Sequence, residues 1–186
     1  MPETRFPDHT PETAPPASRR SMAATTERLG YLPAPVARLA TSPQLLDGFL
    51  RLSAMFESTT LDPLAREVVV LAVATRNDCH VCVAMHTAKL TALGADPGLI
   101  EAARTQRPLG DERLEAVRLF TLEVIATAGA VGDVPLHAFL EHGHTRQNAL
   151  EVVMGIGVYT MSTLANRLTD APLDPQLAPF AWEKQH

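Results

Sequence analysis

The stretch DPLAREVVVLAVATRNDCHVCVAMH, residues 62–86, decides how this chain folds and points to what it does. Asp62-Pro63 is a helix opening: a capping carboxylate followed by proline at the first helical position, where the missing N–H costs nothing. The run Val68-Val69-Val70-Leu71-Ala72-Val73-Ala74 is apolar on every side of a helix, so the spacing predicts a central helix to about Arg76. Asn77-Asp78 is the turn, with Asp78 expected to cap a second helix over 79–93 that Gly94 ends. Read as a helical hairpin, the segment has Glu67 about ten residues before the turn and His86 about eight after it. At about 1.5 Å rise per residue the two side chains stand at nearly the same level. On the second helix Cys79, Cys82 and His86 are spaced i, i+3 and i+7 and share one face.

The same punctuation continues on both sides. Ser42-Pro43 opens a helix to about Glu57 whose Leu45, Leu46, Phe49, Leu52 and Phe56 keep a 3.6-residue period. Asp96-Pro97 starts a short helix to about Arg104, and Asp111 one to about Ala128. A further helix covers Val134 to His142 before Gly143, and Thr145 caps a long one to about Leu168. Strand signals are nearly absent, so the expected class is all-α. Residues 1–28, with Pro2, Pro7, Pro11, Pro15 and Pro16 and few large apolar groups, read as an extended N-terminal arm on a helical domain, 29–186. The tail after Asp170 reads as irregular.

Composition narrows the function. The chain has 186 residues, 46% hydrophobic and 20% charged, with a net charge of −5. That charge gives no electrostatic reason to bind nucleic acid. No apolar run reaches the length of a membrane span, and the polar N-terminus lacks the order of a secretory signal, so a cytoplasmic location is expected. The only two cysteines share one CxxC, which is not a disulfide scaffold and points to redox chemistry or metal binding. A thiol is a nucleophile only as its thiolate. A helix N-terminus and a basic neighbour, here His86 one turn from Cys82, both favour that form, and Glu67 would orient the imidazole. A second cysteine then resolves the oxidised first as a disulfide.

The pattern Glu67-(11 residues)-Cys79-x-x-Cys82-x-x-x-His86 resembles the alkylhydroperoxidase AhpD-like family of the carboxymuconolactone decarboxylase superfamily. Leu29-Gly30-Tyr31-Leu32-Pro33, Ser42-Pro43, Leu61-Asp62-Pro63, Glu151-Val152-Val153 and Leu173-Asp174 extend the likeness over roughly residues 10–180. The resemblance implies an all-helical fold assembling into trimers or hexamers. It also implies peroxidase or disulfide-reductase activity towards hydroperoxides, without haem, flavin or metal, fed by an external dithiol or disulfide-exchange donor. It assigns Cys82 as the peroxide-attacking thiol, Cys79 as resolving, His86 as base and Glu67 as its partner. A simple helix-dipole reading instead favours Cys79 as the more acidic thiol. One departure stands out: a further histidine just before the second cysteine is replaced by Val81, while His80 sits one place earlier and about 100° round the helix.

Other readings compete. Two Cys, one His and one Glu make a possible zinc set, against which stands the continuous helix through them. A non-enzymatic oligomeric redox sensor or binding module would use the same pair. The superfamily's lyase branch is disfavoured by the cysteines themselves. His137, His142 and His144 read mainly as helix-terminal histidines, Tyr159 and Asn166 as core residues able to reach the pocket, and Arg19-Arg20 as a solvated pair.

Overall fold

A computed structural model describes residues 6–184, and among these the chain is helical, with no strand. In chain order the helices are α1 (Pro16–Leu29), α2 (Ala34–Leu39), α3 (Pro43–Glu57), α4 (Pro63–Arg76), α5 (His80–Ala92), α6 (Pro97–Arg104), α7 (Glu112–Ala126), α8 (Asp133–Glu141) and α9 (Arg146–Leu168), followed by a 3₁₀ turn, Pro175–Phe180.

The starts are fixed by the caps the sequence advertises. Ser42, Asp62 and Asp111 accept from the backbone N–H of Leu45, Ala65 and Leu114, and Asp96 from Gly98 and Leu99. Thr145 and Asn148 form a reciprocal capping box at α9. The expectation for Asp78 fails in an informative way. It does not cap α5; Cys79 occupies that position. Asp78 adopts a left-handed φ of 56°. Its N–H bonds to Thr75 O at 3.2 Å, and the Cys79 N–H reaches Ala74 O at 3.0 Å. This is a Schellman closure of α4, in which a short acidic side chain tolerates the turn position usually given to glycine. Cys79 therefore ends one helix and begins the next.

Every residue of α4 from Glu67 to Thr75 is buried, and α4 packs on α3, α5, α6, α7 and α9. Contact with α9 is close because Gly155 faces Phe56 and Val69. A Cβ at Gly155 would lie 2.7 Å from the Phe56 ring and 2.9 Å from Val69 Cγ1.

The N-terminal segment departs from the extended arm expected over 1–28, whose first five residues lie outside the described ones. Residues 16–29 are α1, with Pro16 at the permissive first position. The helix is ordered on the body: Met22 is fully buried with Val36, Leu39 and Leu46 in a second small core, and Ser18 Oγ donates to Ala40 O at 2.8 Å. An apolar surface this sparse is invisible until α2 and α3 exist to cover it. The Pro-rich tail likewise forms a 3₁₀ turn, held where Arg104 donates to the carbonyls of Phe180 and Ala181 at 3.1 and 2.8 Å.

Filling the close approach of α9 and α4 tests this packing. Gly155→Ala should cost about 1–3 kcal/mol by overpacking, seen as a fall in melting temperature of roughly 2–4 °C for each kcal/mol in a domain of this size. The exposed Gly157→Ala, which meets nothing within 4 Å, should leave the melting temperature level or raised.

Candidate active site

The residues singled out by spacing come together where α4 and α5 lie side by side. Glu67 and His86, both buried, are joined by a hydrogen bond in which His86 Nδ1–H donates to Glu67 Oε2 at 2.6 Å. This bond fixes the imidazole tautomer and leaves Nε2 as the nitrogen free for proton transfer. The second carboxylate oxygen is taken by a residue the sequence reading missed: Lys89 Nζ lies 2.9 Å from Glu67 Oε1 and also pairs with Glu57 of α3. Its signal was present, since 82, 86 and 89 step by four and three along one face, but a lysine on a helix is ordinarily a solvated charge. Burial by itself would raise the Glu67 pKa. The neighbouring His86 and Lys89, by charge and hydrogen bonding, hold it below the ordinary carboxyl value instead. The Tyr159 ring meets His86 edge-on at 5.1 Å, and its hydroxyl lies 3.3 Å from Ser53 Oγ.

The two sulfurs are 2.9 Å apart, as free thiols at the first turn of α5. They are electrically unlike. The Cys82 thiol donates to Cys79, and this, against the effect of burial, holds Cys79 below the usual thiol value of 9.0. The Cys82 backbone N–H, the Asn166 amide and the charge of Arg167 add to it. Cys82 is pushed well above that value by its bond to Cys79, by burial and by the charge on Cys79. The pair thus holds one negative charge readily and resists a second. Asn166 Nδ2 donates to Cys82 Sγ at 3.3 Å, which gives that core residue of α9 a place at the site. Arg167 is anchored by donating to the carbonyls of Asn77 and Asp78 at 2.8 and 2.6 Å.

The structure does not join His86 to either sulfur by a direct hydrogen bond among the described residues. His86, Cys82 and Tyr159 instead share a cavity of about 630 Å³, walled by apolar residues of α2 and α3 such as Val36, Leu39, Phe49 and Leu50. A proton passing between imidazole and sulfur therefore crosses that cavity. The four residues weighed above as a zinc set do not form a metal-holding cluster among the described residues. His86 Nδ1 is already committed to Glu67. His137 pairs with Glu141 at 3.2 Å, and His142 bonds to its own helix end. Buried His144 stacks on Phe139 with ring centroids 4.4 Å apart and bonds to Arg113 O. These three stand outside the thiol site. His80 is exposed, on the far side of the cysteine pair from His86. No helix is long and apolar enough to cross a membrane among the described residues.

An all-helical body with a buried vicinal thiol pair, backed by a carboxylate–imidazole couple, defines the class. Residues 43–111, spanning Glu67, both cysteines and His86, match the carboxymuconolactone decarboxylase family. Over 95% of its length the chain has the all-helical AhpD-like fold. Its fold is shared by an uncharacterized peroxidase-related protein from Ralstonia eutropha JMP134, described as an alkylhydroperoxidase AhpD core. The two are 20% identical, with a TM-score of 0.82 and 95% of each chain covered. A second uncharacterized peroxidase-related protein, from Silicibacter sp. TM1040, is also 20% identical, with a TM-score of 0.77 over 93% of this chain and 92% of that one. The debrominase Bmp8, as a cysteine-to-alanine variant in complex with 2,3,4-tribromopyrrole, is 13% identical, with a TM-score of 0.73 and 96% of each chain covered. No curated protein matches the sequence significantly.

The unequal thiols give a direct titration. Alkylation of the reduced protein by iodoacetamide should show a midpoint below 9.0, with Cys79 modified first by peptide mapping. Loss of the thiol donor in Cys82→Ala should move that midpoint upward. A Cys79 midpoint unchanged by Cys82→Ala would remove the sulfur-to-sulfur hydrogen bond as its cause.

Proposed function

We propose that this protein is a thiol-dependent peroxidase-type oxidoreductase that reduces organic hydroperoxides through a Cys79/Cys82 dithiol–disulfide cycle. The observation that carries the reading is the pair of free sulfurs at 2.9 Å, one of them sharing a cavity with the Glu67–His86 couple. Cys82 is the attacking thiol because it opens on that cavity. Its resistance to ionisation does not bar this role. Once Cys79 is ionised, passing the shared proton from Cys82 to Cys79 moves that charge without creating a second. The Cys82 thiolate attacks the distal oxygen of the hydroperoxide, and the O–O bond breaks. His86, held by Glu67, relays a proton through Nε2 to the departing alkoxide, which leaves as the alcohol. Cys79 then attacks the Cys82 sulfenic sulfur, its own proton and the expelled hydroxyl leaving as water, and the disulfide closes. An external dithiol or disulfide-exchange donor restores the thiols.

The absence of a histidine at Val81 leaves His86 as the imidazole on this cavity, so the relay is short. Reductive dehalogenation of an aromatic ring is a second reading, favoured by the fold shared with the debrominase and by the apolar walls over Cys82. It predicts halide release from a bromopyrrole by the reduced protein, with no peroxide consumed. A pure redox sensor would form the disulfide without turnover.

The assembly we propose is a homo-oligomer, in keeping with the trimers or hexamers of the resemblance. Its support is a stripe of apolar residues on the outer face of α9: Leu150, Val153, Leu164 and Leu168, all exposed, with Leu150 at 73%. At about 100° per residue these positions fall within roughly 60° of one another, so they share one helical face. Light scattering should show a multiple of 20.1 kDa, and Leu150→Glu with Leu164→Glu should dissociate it.

Single-turnover chemistry tests the cysteine roles. Cys79→Ser should consume one equivalent of cumene hydroperoxide and stop as a sulfenic acid. Cys82→Ser should consume none. His86→Ala should slow the oxidation of the reduced protein by about 10²-fold or more at neutral pH, the usual contribution of a placed proton donor. Peroxide consumption by Cys82→Ser equal to that of the natural protein would overturn the assignment.

A further inference from the structure

The cysteine pair stands in a wall between two separate spaces. Cys82 lines the apolar cavity with His86 and does not line the space on the other side. Cys79 lines that other space, a cleft of about 700 Å³, and not the cavity. Val81 and Asn166 face both, and with the two sulfurs they make the partition. The two sides differ in chemistry. The cavity is walled mainly by aliphatic and aromatic residues, although Arg28, Glu57 and Lys89 also reach its lining. The cleft is bounded by His80, Arg167, Asp170, Glu183 and Lys184, with the irregular C-terminal stretch around Trp182 as its edge. That edge is fastened: Trp182 Nε1 donates to Arg104 O at 3.0 Å, and Arg104 holds Ala181 O.

Resting on the dithiol reading above, we propose that the two half-reactions use opposite faces of the pair: the organic oxidant reaches Cys82 through the apolar cavity, and the dithiol reductant reaches Cys79 through the polar cleft at the C-terminal tail. A bulky apolar hydroperoxide gains from the cavity the burial that a charged thiol compound would forfeit there. The ionic rim of the cleft suits a polar or protein-borne dithiol, which never has to displace the product alcohol.

The reduction balances without a further reagent. A thiolate of the external dithiol attacks Cys79 Sγ, forming a mixed disulfide and breaking the Cys79–Cys82 bond. The electron pair goes to Cys82, which emerges as a thiolate facing the Asn166 amide and takes up a proton from the cavity side. The reductant's second thiol, giving up its proton, attacks its own first sulfur and expels Cys79 as a thiolate. That leaving group is a good one, since the Cys82 N–H and Arg167 are already in place to hold its charge. The donor departs as its disulfide, two electrons having moved to the pair.

The test measures the two half-reactions separately in two variants at exposed alanines, one on each side. Ala54 on α3 lines the cavity and Ala181 lines the cleft. Oxidation of the reduced protein by cumene hydroperoxide is followed by loss of free thiol. Reduction is followed by return of thiol when dithiothreitol is added to protein whose disulfide was formed with diamide. Ala54→Trp should slow oxidation at least tenfold and change reduction less than twofold, and Ala181→Trp should do the reverse. If both substitutions slow the same half-reaction, or neither half-reaction responds to the substitution on its own side, the two-sided arrangement is wrong. Should the natural protein fail to react with hydroperoxide, the peroxidase reading falls by itself. The sidedness is then decided by the dithiothreitol step together with N-phenylmaleimide labelling of the reduced protein, in which Ala54→Trp should protect Cys82 and Ala181→Trp should not. Equal protection of Cys82 by both would overturn it.

Discussion

One buried carboxylate organises this protein. Glu67 lies on α4, the helix that packs on α3, α5, α6, α7 and α9, and a charge there is tolerable only if both oxygens are satisfied. His86 from α5 takes one at 2.6 Å and Lys89 takes the other at 2.9 Å, with Glu57 of α3 completing the set. This arrangement fixes the register of α5 on α4 and sets the imidazole tautomer. Since His86 is seven residues from Cys79, it also sets the orientation of the face that carries the sulfurs. The same interaction that makes the buried charge affordable therefore positions the chemistry.

The thiol pair is governed by a second constraint, the shared turn at residues 77–79. Asp78 closes α4 in a left-handed conformation so that Cys79 can begin α5 directly. The first sulfur is then at a helix start, where unpaired N–H groups favour negative charge, and the second is one turn inside. Charge settles on Cys79, while the proton machinery and the apolar cavity lie on the Cys82 side. Two demands of the proposed dithiol chemistry, a stabilised thiolate and a cavity-facing nucleophile, thus fall to different atoms that share one proton.

The α-helical class, the cap-and-proline starts of α3, α4, α6, α7 and α9, and the convergence of Glu67 with His86 were legible because each depends on local rules: capping chemistry and a 3.6-residue period. The misreadings have the opposite character. Residues 16–29 have little apolar surface of their own, so Met22 and Ser18 reveal a helix only against Leu46 and Ala40. Asp78 has the chemistry of an N-cap, yet the preceding helix claims it first. Lys89 reads as a surface charge until Glu67 and Glu57 are seen on either side of it.

By itself the sequence determined which reactive groups exist and that one helix face carries both sulfurs and the imidazole, because helical geometry converts spacing into direction. It also determined that a carboxylate stands level with them, because the length of chain between Glu67 and His86 is fixed by two helices and a short turn. Only the tertiary structure decided which thiol holds the charge, which opens on the cavity, and that a different space lies behind the other. Those properties depend on α2, α3, α9 and the tail, elements distant in the chain whose hydrogen bonds and walls exist only once the helices have packed.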